Sequence, residues 1–195
     1  MRHAQDADVL DGITQPEGQA PDSAASTRRS SSITGALIVA AVVIFVDQIT
    51  KSWALNTLTV GSCSQPDTCI DLFAGIKFRL VFNTGAAFTT GSGFGPLLAV
   101  LAFVMAGVLF VMASKRQDRW GAMLLGAIAG GAIGNLIDRV FRADDGLFSG
   151  AVVDFIDLGW WPVFNIADSA IVVGVIAVIV GTFFERDPQE SESND

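Results

Sequence analysis

Four long apolar stretches constrain the fold of this chain more than any other feature. They cover residues 35–55, 94–113, 120–139 and 164–184. A helix that rises 1.5 Å per residue needs about 20 apolar residues to cross the roughly 30 Å of hydrocarbon in a bilayer. Composition agrees, because 16% of the residues are charged, whereas a soluble domain carries about a quarter. We therefore predict an all-α membrane protein with four transmembrane helices.

Basic residues in the short flanks of the spans predict the orientation, because cytoplasmic flanks carry an excess of Lys and Arg. Those before the first span and between the second and third are Arg28, Arg29, Lys115, Arg116 and Arg119. These flanks should be cytoplasmic, and an even number of spans then predicts that both termini are cytoplasmic. The loops 56–93 and 140–163 should face outward, and they contain few basic residues.

The segments outside the spans are polar at both ends of the chain. Residues 1–34, rich in Ser, Asp, Gln and Gly, are predicted to be a disordered cytoplasmic tail, because they cannot bury a core. The membrane domain is expected at 35–184, with a second cytoplasmic tail at 185–195. In the outer loop, IKFRLVFN alternates apolar and polar residues and favours a strand. Cys63 and Cys69 lie in the same loop, and their spacing leaves both a disulfide and two free thiols open.

Ionisable side chains within or beside the spans collect at one depth, near the outer interface. They are Asp47, Lys51, Asp138, Arg139, Asp154 and Asp168. A charge within a span costs a few kcal/mol and is usually functional. The spacings place Asp47 and Lys51, and also Asn135 and Arg139, on common helix faces at i,i+4. Three helices and a loop should therefore bring carboxylates together.

Carboxylates with amide and cationic neighbours limit the chemistry that is available. The only histidine, His3, lies in the polar tail, so neither a histidine base nor a metal site is expected. No basic surface for nucleic acid is present. Two close carboxylates share a proton and can hydrolyse a peptide by general acid–base catalysis. A proton or ion pathway, a snorkelling Asp47–Lys51 pair and an interfacial Asp138–Arg139 pair remain open alternatives.

Five sequence blocks occur in the order typical of one family. They are VDQITK from Val46, NTGAAF from Asn83, GNLIDRV from Gly134, VVDFI from Val152 and FNIADSAI from Phe164. With four spans around them, the chain resembles the bacterial lipoprotein signal peptidases, also called type II signal peptidases. The resemblance covers residues 35–184, and each block alone would be weak evidence.

The resemblance implies a role for each matching residue. Asp154 and Asp168 match the catalytic aspartate dyad of the family. The residues that match its substrate-binding side chains are Asn83, Asn135, Arg139 and Asn165. The residues that match site-supporting positions are Asp47, Lys51, Asp138 and Gly85, with Gly85 allowing a bend after Asn83. The outer loop is expected to form a small extracytoplasmic β-rich cradle over the substrate.

The resemblance also implies the activity and the partners. The expected enzyme is an intramembrane aspartic endopeptidase, a hydrolase without metal or organic cofactor. It would cut prolipoproteins just before a diacylglyceryl-modified cysteine at the extracytoplasmic face of the bacterial plasma membrane. Globomycin-type cyclic peptides would inhibit it, and a monomer should suffice.

Two other functions fit the fold less well. A proton-coupled transporter would need polar groups through the full membrane depth, and the cytoplasmic halves of the spans lack them. A catalytically dead binding protein of the same fold would be expected to have lost one dyad aspartate. Both Asp154 and Asp168 are present.

Overall fold

Four helices account for most of the fold. The computed structural model describes residues 22–60, 69–85, 94–143 and 146–184, with side chains from residue 32 onward. In chain order the helices are α1 (Asp22–Thr57), α2 (Gly95–Lys115), α3 (Arg119–Phe141) and α4 (Ile166–Phe184). Within the described residues, all four are long and apolar enough to cross a membrane. The prediction of four spans is confirmed.

The first helix is longer than the apolar stretch that predicted it. It begins at Asp22, inside the segment 1–34 that we assigned to a disordered tail. The sequence between residues 22 and 34 contains no Gly or Pro that would stop a helix, and Ile33 already packs against the core. Residues 1–21 and 185–195, the remainder of the two predicted tails, lie outside the described residues.

Helix α3 is the central helix, and its small residues let its neighbours approach closely. A Cβ at Gly126 would overlap the backbone of Ala36, and one at Gly130 would lie 2.8 Å from the Ala40 Cα. Both neighbours belong to α1. α2 and α4 also pack on α3 but make almost no contact with each other. Such small-residue contacts are the usual way that helices pack in lipid.

A small sheet covers one end of the helix bundle. Its strands are β1 (Cys69–Asp71), β2 (Lys77–Asn83) and β3 (Val152–Asp157), antiparallel in the order β1-β2-β3. β2 contains the alternating segment that predicted a strand. Leu80, Val153 and Phe155 bury one face of the sheet against Ala54 and Leu58 near the C-terminal end of α1.

The register of the sheet determines which end of it meets the helices. Val81 pairs with Asp154 and Asn83 with Val152, beyond an irregularity between Phe78 and Val81. The last residues of β2 therefore lie beside the first half of β3, which contains Asp154. Cys69, at the start of β1, is disulfide-bonded, whereas Cys63 lies outside the described residues.

Candidate active site

Two asparagine amides join the carboxylates that the sequence predicts to be a dyad. Asp154 lies on β3, and Asp168 lies in the first turn of α4. The Asn165 side-chain amide donates to Asp154 Oδ1 at 2.7 Å and to Asn135 Oδ1 at 3.1 Å. The Asn135 amide in turn donates to Asp168 Oδ1 at 2.8 Å. The two carboxylates therefore belong to one hydrogen-bond network, although they come from different elements.

Asp154 is the more deeply buried of the two carboxylates. Its exposed fraction is 1%, whereas Asp168 is partly exposed. Burial raises the pKa of Asp154 to about 6, and the nearby charge of Asp168 adds to that rise. Hydrogen bonds from Asn83 and Asn165 act in the opposite direction, because they favour the ionised form. Burial therefore makes the neutral form of Asp154 easier to populate than that of an exposed aspartate.

Asp168 is fixed by the way that helix α4 begins. Asn165 precedes the helix, and its Oδ1 accepts from the Asp168 backbone N–H at 3.0 Å. Asp168 Oδ2 accepts in return from the Asn165 backbone N–H at 3.2 Å. This reciprocal pair is a capping box, which satisfies two N–H groups that a helix start would leave without partners. The positive end of the helix dipole also favours a negative charge here.

Asn83 reaches Asp154 from the end of strand β2. Its amide donates to Asp154 Oδ2 at 3.0 Å, while its Oδ1 accepts from the Gly85 backbone N–H at 2.9 Å. That turn fixes which side of the amide faces the carboxylate. Gly85 has φ +87°, a left-handed conformation that favours glycine.

Arg139 lies beside the dyad with unused hydrogen-bonding capacity. Its exposed fraction is 7%, and its Nη1 has no hydrogen-bond partner within the described part of the chain. A Cβ added to Gly85 would lie 3.7 Å from this nitrogen, and one added to Gly95 would lie 3.6 Å from it. Its charge interacts with those of Asp154 and Asp168. A buried guanidinium N–H without a partner is costly.

A fully buried ion cluster lies behind the dyad. Lys51 Nζ contacts Asp47 Oδ2 and Asp138 Oδ2, both at 2.9 Å, and none of these three side chains is exposed. The alternative of a snorkelling Asp47–Lys51 pair is wrong, because snorkelling needs an ammonium group that reaches water. The interfacial Asp138–Arg139 pair is also wrong, since Asp138 pairs with Lys51 and Arg142 instead.

Sequence reasoning overlooked two members of this cluster. Gln48 donates to Asp47 Oδ2 and to the Gly134 carbonyl, both at 3.1 Å. Arg142 donates to Asp138 Oδ1 at 2.9 Å. The i,i+4 spacing of Asp138 and Arg142 could have indicated the second contact. Across the described ranges, no group of three or more His, Cys, Asp or Glu side chains could hold a metal ion.

Known proteins resemble this chain over most of its length. A family model described as signal peptidase (SPase) II matches residues 39–184. A lipoprotein signal peptidase of Rhodococcus jostii RHA1 is 39% identical over 175 residues, which cover 89% of this chain and 83% of the relative. One from Mycobacterium tuberculosis H37Rv is 38% identical over 182 residues, 93% of this chain and 86% of the relative. These matches confirm the family resemblance read from the five sequence blocks.

Solved structures agree with the sequence relatives. A bacterial membrane enzyme determined by the in meso method at 1.9 Å resolution superposes with a TM-score of 0.65 at 27% identity, covering 77% of this chain and 94% of that one. A second, determined at 2.3 Å, gives a TM-score of 0.62, also at 27% identity, over 82% of this chain and 90% of that one. The chain therefore belongs to the signal peptidase II family of membrane aspartic peptidases.

Proposed function

We propose that this chain removes signal peptides from diacylglyceryl-modified prolipoproteins, with Asp154 and Asp168 as its catalytic dyad. The observation that carries the proposal is the asparagine bridge. Asn165 donates to Asp154, and Asn135, which accepts from Asn165, donates to Asp168. A hydrogen-bond network that joins two acids suits general acid–base hydrolysis of a peptide bond.

The different surroundings of the two carboxylates give each a separate task. Asp154 is buried and holds the proton, so it donates that proton to the carbonyl oxygen of the scissile bond. Asp168, held by the capping box, takes a proton from the attacking water. When the tetrahedral intermediate collapses, Asp168 passes this proton to the leaving amine, and Asp154 recovers its own from the oxygen as the carbonyl re-forms. The dyad thus returns to its starting state after each cleavage.

The polar side chains around the dyad hold the substrate backbone. Arg139 Nη1 is buried without a partner in the described structure, and a substrate carbonyl oxygen would satisfy it. Asn83 lies at the end of β2 and is exposed, so it can contact a peptide while donating to Asp154. Asn135 and Asn165 provide amide groups that face the same space. Asp47, Lys51 and Asp138 support the site from behind.

The substrate enters from the lipid. α2 and α4 both pack on α3 but make almost no contact with each other. We infer that a signal-peptide helix binds against α3 in the space between them. The acyl chains of the modified cysteine then remain in the bilayer while water reaches the dyad. All of the site residues come from one chain, so a monomer suffices. Globomycin-type cyclic peptides would compete for the same space.

Cleavage by dyad variants tests this function. Purified protein in detergent is incubated with a diacylglyceryl-modified prolipoprotein, and the products are identified by mass spectrometry. Asp154→Asn and Asp168→Asn should each abolish cleavage. Asp157→Asn is the matched control, since Asp157 lies on the same strand and pairs with Arg79; it should keep activity within about threefold. Full activity in either dyad variant would contradict the assignment of Asp154 and Asp168 as the catalytic dyad.

Orientation can be tested in cells. The basic flanks of the spans favour cytoplasmic termini and a site at the extracytoplasmic face of the plasma membrane. Alkaline phosphatase, which is active only outside the cytoplasm, should be inactive when fused after the C-terminus. The same enzyme inserted at the Gly75 turn between β1 and β2 should be active. The reverse pattern would place the dyad at the cytoplasmic face.

A further inference from the structure

One buried lysine contacts three side chains that lead to the dyad. The Lys51 Nζ atom contacts Asp47 Oδ2 at 2.9 Å, Asp138 Oδ2 at 2.9 Å and Asn135 Oδ1 at 3.0 Å. An ammonium group has three protons to donate. All three are therefore used, and they connect α1, which carries Lys51, to two positions on α3 and to its own preceding turn.

Two of these contacts continue to backbone groups directly beside the dyad aspartates. Asp47 Oδ1 accepts from the Ala167 N–H at 3.0 Å, one residue before Asp168. Asp138 Oδ2 accepts from the Val153 N–H at 3.1 Å, one residue before Asp154. Each carboxylate therefore joins the lysine to the backbone that carries one member of the dyad.

The third contact reaches the dyad through a side chain. Because Asn135 Oδ1 accepts from Lys51, its amide nitrogen must point the other way, where it donates to Asp168 Oδ1 at 2.8 Å. An asparagine side chain can turn over and exchange its oxygen with its nitrogen. The ammonium group opposes the reversed orientation, because its donor would then face the Asn135 NH2 group. The Asn165 amide, which also donates to Asn135 Oδ1, acts in the same direction.

From these three connections we propose that Lys51 is the positioning residue that sets the separation and orientation of Asp154 and Asp168. This role rests on the proposed function, because it needs those two carboxylates to be the dyad. Lys51 itself does not touch the substrate, since its side chain is fully buried. Its effect passes through Asp47, Asp138 and Asn135.

The simpler alternative is that Lys51 only neutralises buried negative charge. Asp47 and Asp138 together carry two negative charges, and Lys51 and Arg142 carry two positive ones, so the cluster is balanced. Removing one partner of a buried ion pair is strongly destabilising for charge reasons alone. A test of positioning must therefore restore the charge balance while leaving the three connections broken.

A charge-balanced pair of variants makes that separation. Lys51→Met removes the ammonium group and leaves one negative charge in excess. The double variant Lys51→Met with Asp47→Asn restores balance, because Arg142 still pairs with Asp138, and the new amide oxygen can still accept from the Ala167 N–H. Thermal unfolding in detergent should show lower stability for the single variant and substantial recovery for the double variant.

Kinetics of the full-length enzyme then decide between the two roles. We expect kcat of both variants to fall about 100-fold, because a displacement of about 1 Å in a catalytic group can cost that much. Among the described residues, Lys51 hydrogen-bonds one proposed substrate-binding side chain, Asn135, so KM should change less than kcat does. Arg142→Gln also removes a cation bonded to Asp138 but breaks no connection to Lys51, and it should keep kcat within about threefold.

Each contrary result has its own meaning. Recovery of kcat together with stability in the double variant would show that Lys51 acts by charge alone and would overturn the positioning role. Failure of the double variant to fold would assign Lys51 to stability and overturn it equally. Active Asp154→Asn or Asp168→Asn protein in the same assay would instead reject the proposed function.

Discussion

Asn165 and Asp168 hold each other by two reciprocal hydrogen bonds across the start of helix α4. Each side chain accepts from the backbone N–H of the other, at 3.0 and 3.2 Å. A capping box normally serves only the stability of a helix. In this chain the same contacts fix the carboxylate that we propose to be the general base, and Asn165 extends the arrangement by donating to Asp154. Helix capping and placement of the dyad are thus achieved by one side chain.

Asn165 substitutions should separate these two tasks. Asn165→Ala removes the cap and the amide donor, so we expect about 1 kcal/mol lower stability and about 100-fold lower kcat. Asn165→Ser keeps a capping oxygen but is too short to reach Asp154. It should lose a similar amount of activity with a smaller loss of stability. Thermal unfolding and cleavage kinetics measure the two effects, and a fully active Asn165→Ser variant would show that the amide donor is dispensable.

The pKa of Asp154 should make stability depend on pH. Burial raises this pKa from 3.8 to about 6, so the folded protein binds the proton more tightly than the unfolded chain does. The free energy of unfolding should therefore fall as pH rises from about 4 to about 6, by roughly 3 kcal/mol from this group. The effect is complete above pH 6 and absent below pH 3.8.

Asp154→Asn removes this titration. The fall in melting temperature between pH 4.5 and pH 7.5 should be smaller in Asp154→Asn than in the wild type, because the variant has no carboxyl group to deprotonate there. Ile156→Val, on the same strand, serves as the control and should keep the wild-type slope, because it removes no carboxyl group. Identical slopes in the wild type and Asp154→Asn would mean that Asp154 titrates alike in the folded and unfolded states.

Two glycines with similar positive φ angles distinguish the site from the rest of the sheet. Gly85 has φ +87° and Gly75 has φ +82°, so alanine at either position should cost about 1–2 kcal/mol. A Cβ at Gly85 would also lie 2.7 Å from Leu98 Cδ1 and 3.7 Å from both Arg139 Nη atoms, whereas one at Gly75 meets nothing within 4 Å.

Activity should therefore respond to only one of these substitutions. The added Cβ at Gly85 forces either Leu98 or the turn that holds Asn83 to move. Gly85→Ala should therefore lower kcat/KM at least about tenfold, which corresponds to a loss of about 1.4 kcal/mol in transition-state binding. Gly75→Ala should lower stability by no more than Gly85→Ala does and should keep wild-type kcat/KM. Equal activities in the two variants would indicate that the bend at Gly85 does not shape the substrate site.

Much of the architecture followed from the length of apolar segments and the depth of charges. The apolar stretches predict all four spans because lipid requires about 20 such residues per helix. Their ends are less informative, since a helix can continue past the hydrocarbon, as α1 does from Asp22 to Thr57. The alternation of apolar and polar residues in IKFRLVFN predicts β2. Its partner β1 has only three residues, Cys69–Asp71, which are too few to show such a pattern.

The pairing of the buried charges could not be predicted in the same way. Spacing shows that Asp47 and Lys51 share a helix face, but the contact from Lys51 to Asp138 depends on how α1 and α3 are rotated against each other. The capping box is predictable from sequence, because Asn165 and Asp168 lie three residues apart at the start of an apolar run.

Packing between α1 and α3 supplies a final test, because it should affect stability without disturbing the dyad. Gly126→Ala would place a Cβ into the Ala36 backbone, and we expect it to lower stability by about 1–3 kcal/mol. Gly107→Ala on α2 is the control. Its added Cβ meets nothing within 4 Å, and it should unfold at or above the wild-type temperature, since alanine has a higher helix propensity than glycine.

The overlap at Ala36 lies roughly 20 Å along α1 from Lys51 at 1.5 Å per residue. Folded Gly126→Ala protein, assayed well below its melting temperature, should therefore retain most of its kcat. A large loss of kcat in that folded protein would mean that displacement of α1 is transmitted along the helix to the ion cluster.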